Sequence, residues 1–202
     1  MNAKEQIVIK ASNLFLRKGY VGVLMAEIAK EMGMSKKTLY QYFSSKEELV
    51  QEVIKTYQLE MQTTVEQLIN DTTISFPEKA SRIFKYVATR LNGLNPVFIQ
   101  DIKENSPTSW KLIQTYKSQA AYLRFNSLLE EGAQLGYVRS DINRSLVVML
   151  YANALDTIVN PEFLRQVPPQ LTADLPYTPD AILDGVVNII FKGILKEKVY
   201  EV

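Results

Sequence analysis

Apolar residues recur along this chain every three to four positions, and that spacing predicts helices from one end to the other. The first stripe is Ile7, Ala11, Leu14 and Phe15, on a helix from Ala3 to Lys18 that Asn2 and Glu5 open as a capping box and Gly19 stops. Met25, Ile28, Ala29 and Met32 follow at i, i+3, i+4 and i+7. Gly33 stands where a left-handed residue ends a helix, and Ser35 is a good N-cap for a third helix that turns Leu39 and Phe43 inward. Ser45, with Glu48 at N3, starts a fourth helix through Leu49, Val53, Tyr57 and Met61 to about Asn70. A short helix, a glycine turn and a short helix make a helix-turn-helix over about residues 24–43, with its second helix as the reader.

Prolines punctuate the remainder. Pro77, Pro96, Pro107 and Pro179 suit first helical turns, the last three behind Asn95, Ser106 and Thr178 as caps. They predict helix 5 over Pro77–Leu91, helix 6 over Pro96–Glu104, helix 7 over Pro107–Gln134, helix 8 over Asn143–Val159 and helix 9 from Pro179 to about Lys198. Residues 161–178 hold four prolines and read as a loop. The fold class is therefore all-α, with about nine helices. Helix 9 confines its polar residues to one stripe (Asp180, Asp184, Asn188, Lys192, Lys196), and helix 8 is nearly as apolar. A surface helix needs one apolar face. Two helices apolar nearly all round predict cover on both sides, as in a two-fold four-helix bundle built from helices 8 and 9 of two chains. Leu150, Leu183, Val187, Ile190, Phe191 and Ile194 are the expected seam; the plainer reading is two central helices of a monomer.

Composition removes other functions. The 202 residues include no cysteine and no histidine, which takes away disulfides, thiolate sites and the commonest general base and metal ligand. With no glycine-rich phosphate loop and no acids paired at metal spacing, no catalytic residue, metal or cofactor is expected. No apolar run is long enough for a bilayer and the first residues lack a signal-peptide core, so a cytoplasmic protein with no membrane partner is expected. Net charge is only +1, but residues 1–50 hold eight Lys or Arg against five acids, a local excess of +3 around the turn. Lys36 and Lys37 fall in the first turn of the reader helix, where cations oppose the helix dipole. A DNA phosphate there relieves the conflict, whereas two solvated lysines are the plainer reading. The expected duplex contacts are Lys36, Tyr40, Tyr42 and Lys46 to phosphates, and Lys37, Thr38 and Gln41 to base edges, lysine favouring guanine and glutamine favouring adenine.

Ala11, Leu14-Phe15, Gly19-Tyr20, Glu27-Ile28-Ala29, Gly33-Met34-Ser35-Lys36, Thr38-Leu39-Tyr40, Phe43 and Ser45-Lys46-Glu47-Glu48-Leu49 stand together at fixed spacing. This run, Ile7 to Leu49, resembles the N-terminal domain of TetR-type transcriptional regulators and covers a quarter of the chain. The resemblance implies a DNA-binding head over residues 1–61 and an effector-binding, dimerising body over 62–202. It implies a homodimer on a palindromic operator, most often a repressor, released by a small, mostly apolar effector held among helices 4 to 8. The effector candidates are Tyr57, Phe84, Phe98, Trp110, Tyr116 and Tyr122, with Phe125 nearby and Asn153 and Asp156 as polar handles. Against that stand core aromatics and a solvated stripe. Arg124 reads first as a surface arginine and second as a partner for an anionic effector. The alternative function is a helix-turn-helix protein whose body binds another protein. One departure stands out: Val23 and Leu24 occupy positions where the family usually has Thr or Ser to cap helix 2, and losing a cap costs about 1 kcal/mol.

Overall fold

The structure, a computed structural model, describes residues 2–159, 168–173, 175–176 and 178–194. The described residues form helices and contain no strand. They are α1 (Ala3–Lys18), α2 (Met25–Glu31), α3 (Lys36–Tyr42), α4 (Lys46–Asn70), α5 (Phe76–Asn92), α6 (Pro96–Asn105), α7 (Pro107–Gln119), a π-helical turn (Ala120–Phe125), α8 (Asn126–Gln134), α9 (Arg144–Val159), the short α10 (Pro169–Thr172) and α11 (Pro179–Ile194). The single helix expected over Pro107–Gln134 is thus broken by a π turn. α10 interrupts the expected loop, and the continuation of helix 9 beyond Ile194 lies outside the described residues.

Local chemistry accounts for most helix starts. Asn2 and Glu5 form the reciprocal capping box, Asn2 Oδ1 accepting from the Glu5 amide at 2.9 Å. Ser75 caps α5, which starts at Phe76, one residue before the expected Pro77. Ser45 caps α4, accepting from the Glu48 amide at 3.0 Å. The return arm differs from expectation: Glu48 accepts from the amide and hydroxyl of Ser44, both at 2.6 Å, instead of reaching Ser45.

The chain divides into two compact units, residues 1–60 with 94–115, and residues 61–93 with 116–202; the boundaries fall inside α4 and α7. The head proposed from sequence, 1–61, therefore shares its unit with α6 and the first half of α7. That unit buries Ile7, Leu14, Phe15, Val23, Ile28, Leu39, Phe43, Leu49 and Ile102 almost completely. In the second unit α11 packs against α5 and α9. A buried lysine, Lys79, gives its ammonium to the Ile69 carbonyl at 2.7 Å and to Glu131 at 2.6 Å. It thereby satisfies an orphan carbonyl of the last turn of α4 with a paired charge.

Candidate nucleic-acid interface

The turn between α2 and α3 is a Schellman motif. The Met34 amide donates to Ala29 O at 3.0 Å and the Gly33 amide to Lys30 O at 3.1 Å, with Gly33 at φ +64°. Ser35 then caps α3 by accepting from the Thr38 amide at 3.0 Å. α3 commits only Leu39, with Phe43 just beyond it, to the core. Lys36, Lys37, Tyr40, Gln41 and Tyr42 are exposed. The Lys36 ammonium lies 5.8 Å from the centre of the Tyr40 ring, and no acid occupies the first turn of α3. The dipole conflict foreseen from sequence is therefore present, with no side chain of α3 to offset it.

Two of the seven candidates are engaged with residues outside the candidate set. Thr38 is half-buried, its hydroxyl 2.8 Å from that of Ser35 in the cap. Lys46 lies with its ammonium 4.3 Å from the Tyr20 ring centre and 3.4 Å from Val21 O. Burial pushes the Lys46 ammonium below its ordinary range, against the opposing charge of Asp101. The departure at the start of α2 has a visible consequence. Val23 is fully buried, Leu24 occupies the N-cap with 66% of its surface exposed, and no side chain caps the helix. Leu24→Thr should therefore raise stability by about 1 kcal/mol. In a thermal melt, no gain would mean that α2 already finds another partner for its free amides.

The reader is held by contacts that the sequence pattern did not disclose. Within this unit α6 docks on the end of α1. Phe98 stacks on Phe15 with ring centres 6.1 Å apart, and Asn95 donates to Leu16 O at 2.8 Å. Asp101 accepts from the Val21 amide at 2.8 Å. Gly19, at φ +78°, lets Asp101 approach, since a Cβ there would lie 2.5 Å from its Oδ2. Glu47, in the first turn of α4, is the hub. It accepts from Ser106 Oγ at 2.6 and 2.7 Å, Ser109 Oγ at 2.9 Å, Gln51 Nε2 at 3.1 Å, Tyr20 OH at 3.2 Å and the Thr108 hydroxyl. Burial would raise the Glu47 carboxyl, but these donors outweigh it and hold it at about 2. Burial first, then the charge and bond of Glu47, lift the Tyr20 phenol to about 12. From sequence, Ser106 read as a cap and Glu47 as a helix starter, and nothing local pairs them across 59 residues.

The effector candidates do not form one group. Tyr57, Phe98 and Trp110 belong to the first unit, where Phe98 is buried and stacks on Phe15. In the second unit Phe84 and Phe125 pack on Tyr151, and burial lifts the Tyr116 phenol to about 12. Tyr122 is half-exposed and Asn153 exposed, while the side chain of Asp156 is not among those described.

The seam candidates also separate. Leu183, Ile190 and Ile194, expected at the dimer seam, are buried within their own chain, on a helix that packs against α5 and α9. Phe191 packs edge-on against Phe84 at 5.2 Å, and Val187 is half-buried. Leu150 is 61% exposed, in line with exposed Leu146 and Met149 on α9, and Ile189 of α11 is 74% exposed.

Three helices close together in sequence, with a tight turn before an exposed α3, are the arrangement of a helix-turn-helix domain. Residues 7–53 match the profile described as bacterial regulatory proteins, tetR family. It is 24% identical over 196 residues to the uncharacterised HTH-type transcriptional regulator YvaF of Bacillus subtilis, covering 96% of each chain. It is 23% identical over 197 residues to the HTH-type transcriptional repressor DhaR of a Mycobacterium species, covering 95% of this chain and 92% of that one. The fold is also that of AibR, solved in complex with isovaleryl coenzyme A and operator DNA, with a TM-score of 0.61 at 19% identity over 94% of this chain and 98% of that one. No helix among the described residues is long and apolar enough to cross a membrane.

Proposed function

We propose that this chain is a homodimeric, cytoplasmic repressor that binds a palindromic operator and leaves it when a small, mostly apolar effector enters the body. The observation that carries the DNA-binding part is the exposed face of α3, where two lysines, two tyrosines and a glutamine surround a helix start with no acid of its own. Two such heads fit successive major grooves about 34–36 Å apart. Lys36, Tyr40 and Tyr42 hold phosphates, and Lys37 and Gln41 read base edges. Thr38 and Lys46 take smaller parts, since each already has a partner in the chain.

Support for a second copy comes from the apolar row Leu146, Met149 and Leu150 with Ile189, which faces solvent in the single chain. Repression and an effector are supported by the repressor DhaR and by AibR with its acyl coenzyme A. The effector acts as a population shift, so it must bind the operator-free head spacing more tightly than the operator-bound one.

Selection of sites from a random duplex pool, followed by fluorescence anisotropy at two salt concentrations, tests this reading. Tyr40→Ala should weaken binding to every sequence by a similar factor, about tenfold. Gln41→Ala should instead relax preference at one base pair, worth about 1–3 kcal/mol of discrimination. No enriched sequence, and no binding even at low salt, would end the DNA-binding reading.

A further inference from the structure

We infer that Arg124 is the charge-reading centre of the effector site, and that the effector is an organic oxyanion, in the simplest case a carboxylate on an apolar body. The inference rests on the effector-binding reading above and specifies the chemistry of that ligand.

Arg124 does not sit on the surface. It lies in the π-helical turn Ala120–Phe125, an irregularity that recurs at functional sites, and its side chain is only 14% exposed. The guanidinium carbon stands 5.4 Å from the centre of the Tyr116 ring. Its acidic contact is thin: Nε donates to Glu66 Oε1 at 3.3 Å, and the same oxygen accepts from Gln62 Nε2 at 2.9 Å. Glu66 itself is 47% exposed and so shares its charge with solvent. Nη1 of Arg124 is buried and meets no acceptor among the described residues.

A guanidinium is a rigid fork suited to two parallel bonds with one oxyanion. Here Nε is loosely held and Nη1 has no acceptor among the described residues. A buried guanidinium with an unmet donor is unfavourable until an acceptor joins it. A carboxylate against the fork supplies two acceptor oxygens and a full opposite charge; a neutral amide supplies one acceptor oxygen and no charge. An aromatic cluster begins at the next residue. Phe125, the following residue, packs on Tyr151 at 4.2 Å and on Phe84 at 5.9 Å, and Phe84 meets Tyr151 edge-on at 5.8 Å.

The test uses the full-length chain and matched pairs of probes that differ only in charge: octanoate with octanamide, and phenylacetate with phenylacetamide, by thermal shift and calorimetry. For at least one pair the acid should bind about tenfold tighter than its amide. Arg124→Gln should abolish that difference without lowering the melting temperature of the ligand-free protein, since it removes an under-paired buried cation. Arg124→Lys, which keeps the charge but not the fork, should retain part of the preference and serves if Arg124→Gln does not fold. Amides binding as well as acids would overturn the inference while leaving the effector reading intact. A full acid preference in Arg124→Gln or an undiminished one in Arg124→Lys would overturn it equally. Binding of neither member of either pair would overturn both.

Discussion

Ile190→Asp should abolish the fold of the second unit, whereas Ile189→Asp, one residue earlier, should leave the fold intact and yield monomers. Ile190 is 8% exposed, on the face of α11 that meets its own chain. The substitution forfeits about 2–3 kcal/mol of apolar burial and adds the several kcal/mol needed to desolvate a carboxylate with no partner. Against a total stability of about 5–15 kcal/mol, that is enough to unfold much of the population. Ile189 is 74% exposed, so aspartate there has nothing to lose within the single chain. In the proposed dimer it would place like charges across the two-fold seam. Circular dichroism melts and analytical ultracentrifugation separate the outcomes. A folded Ile190→Asp would mean that α11 presents another face inward, and a dimeric Ile189→Asp would move the seam elsewhere.

Glu47→Ala should be the most damaging change near the reader that touches no nucleic acid. It strips the acceptor from Ser106 and Ser109, which are 1% and 0% exposed, and from Thr108, Gln51 and Tyr20. Each buried hydroxyl left without a partner costs about 1–3 kcal/mol, so a loss near 3 kcal/mol is expected. In a chain of this length that lowers the melting temperature by roughly 6–12 °C. Glu47→Gln keeps an acceptor but not the charge and should fall between.

The acid response distinguishes the charge from the packing. In the folded protein the carboxyl is held at about 2 rather than its ordinary 4.5, because its hydrogen-bond donors outweigh burial. A lowered folded value means that the contribution is complete above about 4.5 and is lost as the pH falls through about 2. Solvent at this partly open site trims its size. The melting temperature of the wild type should therefore drop more steeply between pH 4.5 and pH 2 than that of Glu47→Gln. Parallel curves would mean that the carboxylate charge is not what holds Ser106, Thr108 and Ser109.

Legibility varied with the range of the interaction. The helix-turn-helix could be read directly because its determinants are neighbours. Gly33 supplies the left-handed turn, Ser35 the cap, and Leu39 with Phe43 the single buried edge of a short helix. The uncapped start of α2 was visible in Val23 and Leu24 for the same reason. Helices 8 and 9 were legible as two-sided. Periodicity could not assign their sides, because Ile189 and Ile190 are equally apolar and differ only by the 100° turn between adjacent helical residues.

The amino-acid sequence by itself determined the all-helical class, the caps, the turn and the exposed reader, since each depends on bonds and side chains within a few residues. Tertiary structure alone decided that Glu47 finds Ser106, Thr108 and Ser109, and that Phe98 becomes core beside Phe15. It also decided that Ile190 turns inward and that the Arg124 fork is buried beside Tyr116. Those pairings join residues far apart along the chain. A buried charge and a solvated one have the same letter in the sequence, and only the folded surroundings set its desolvation and its partners.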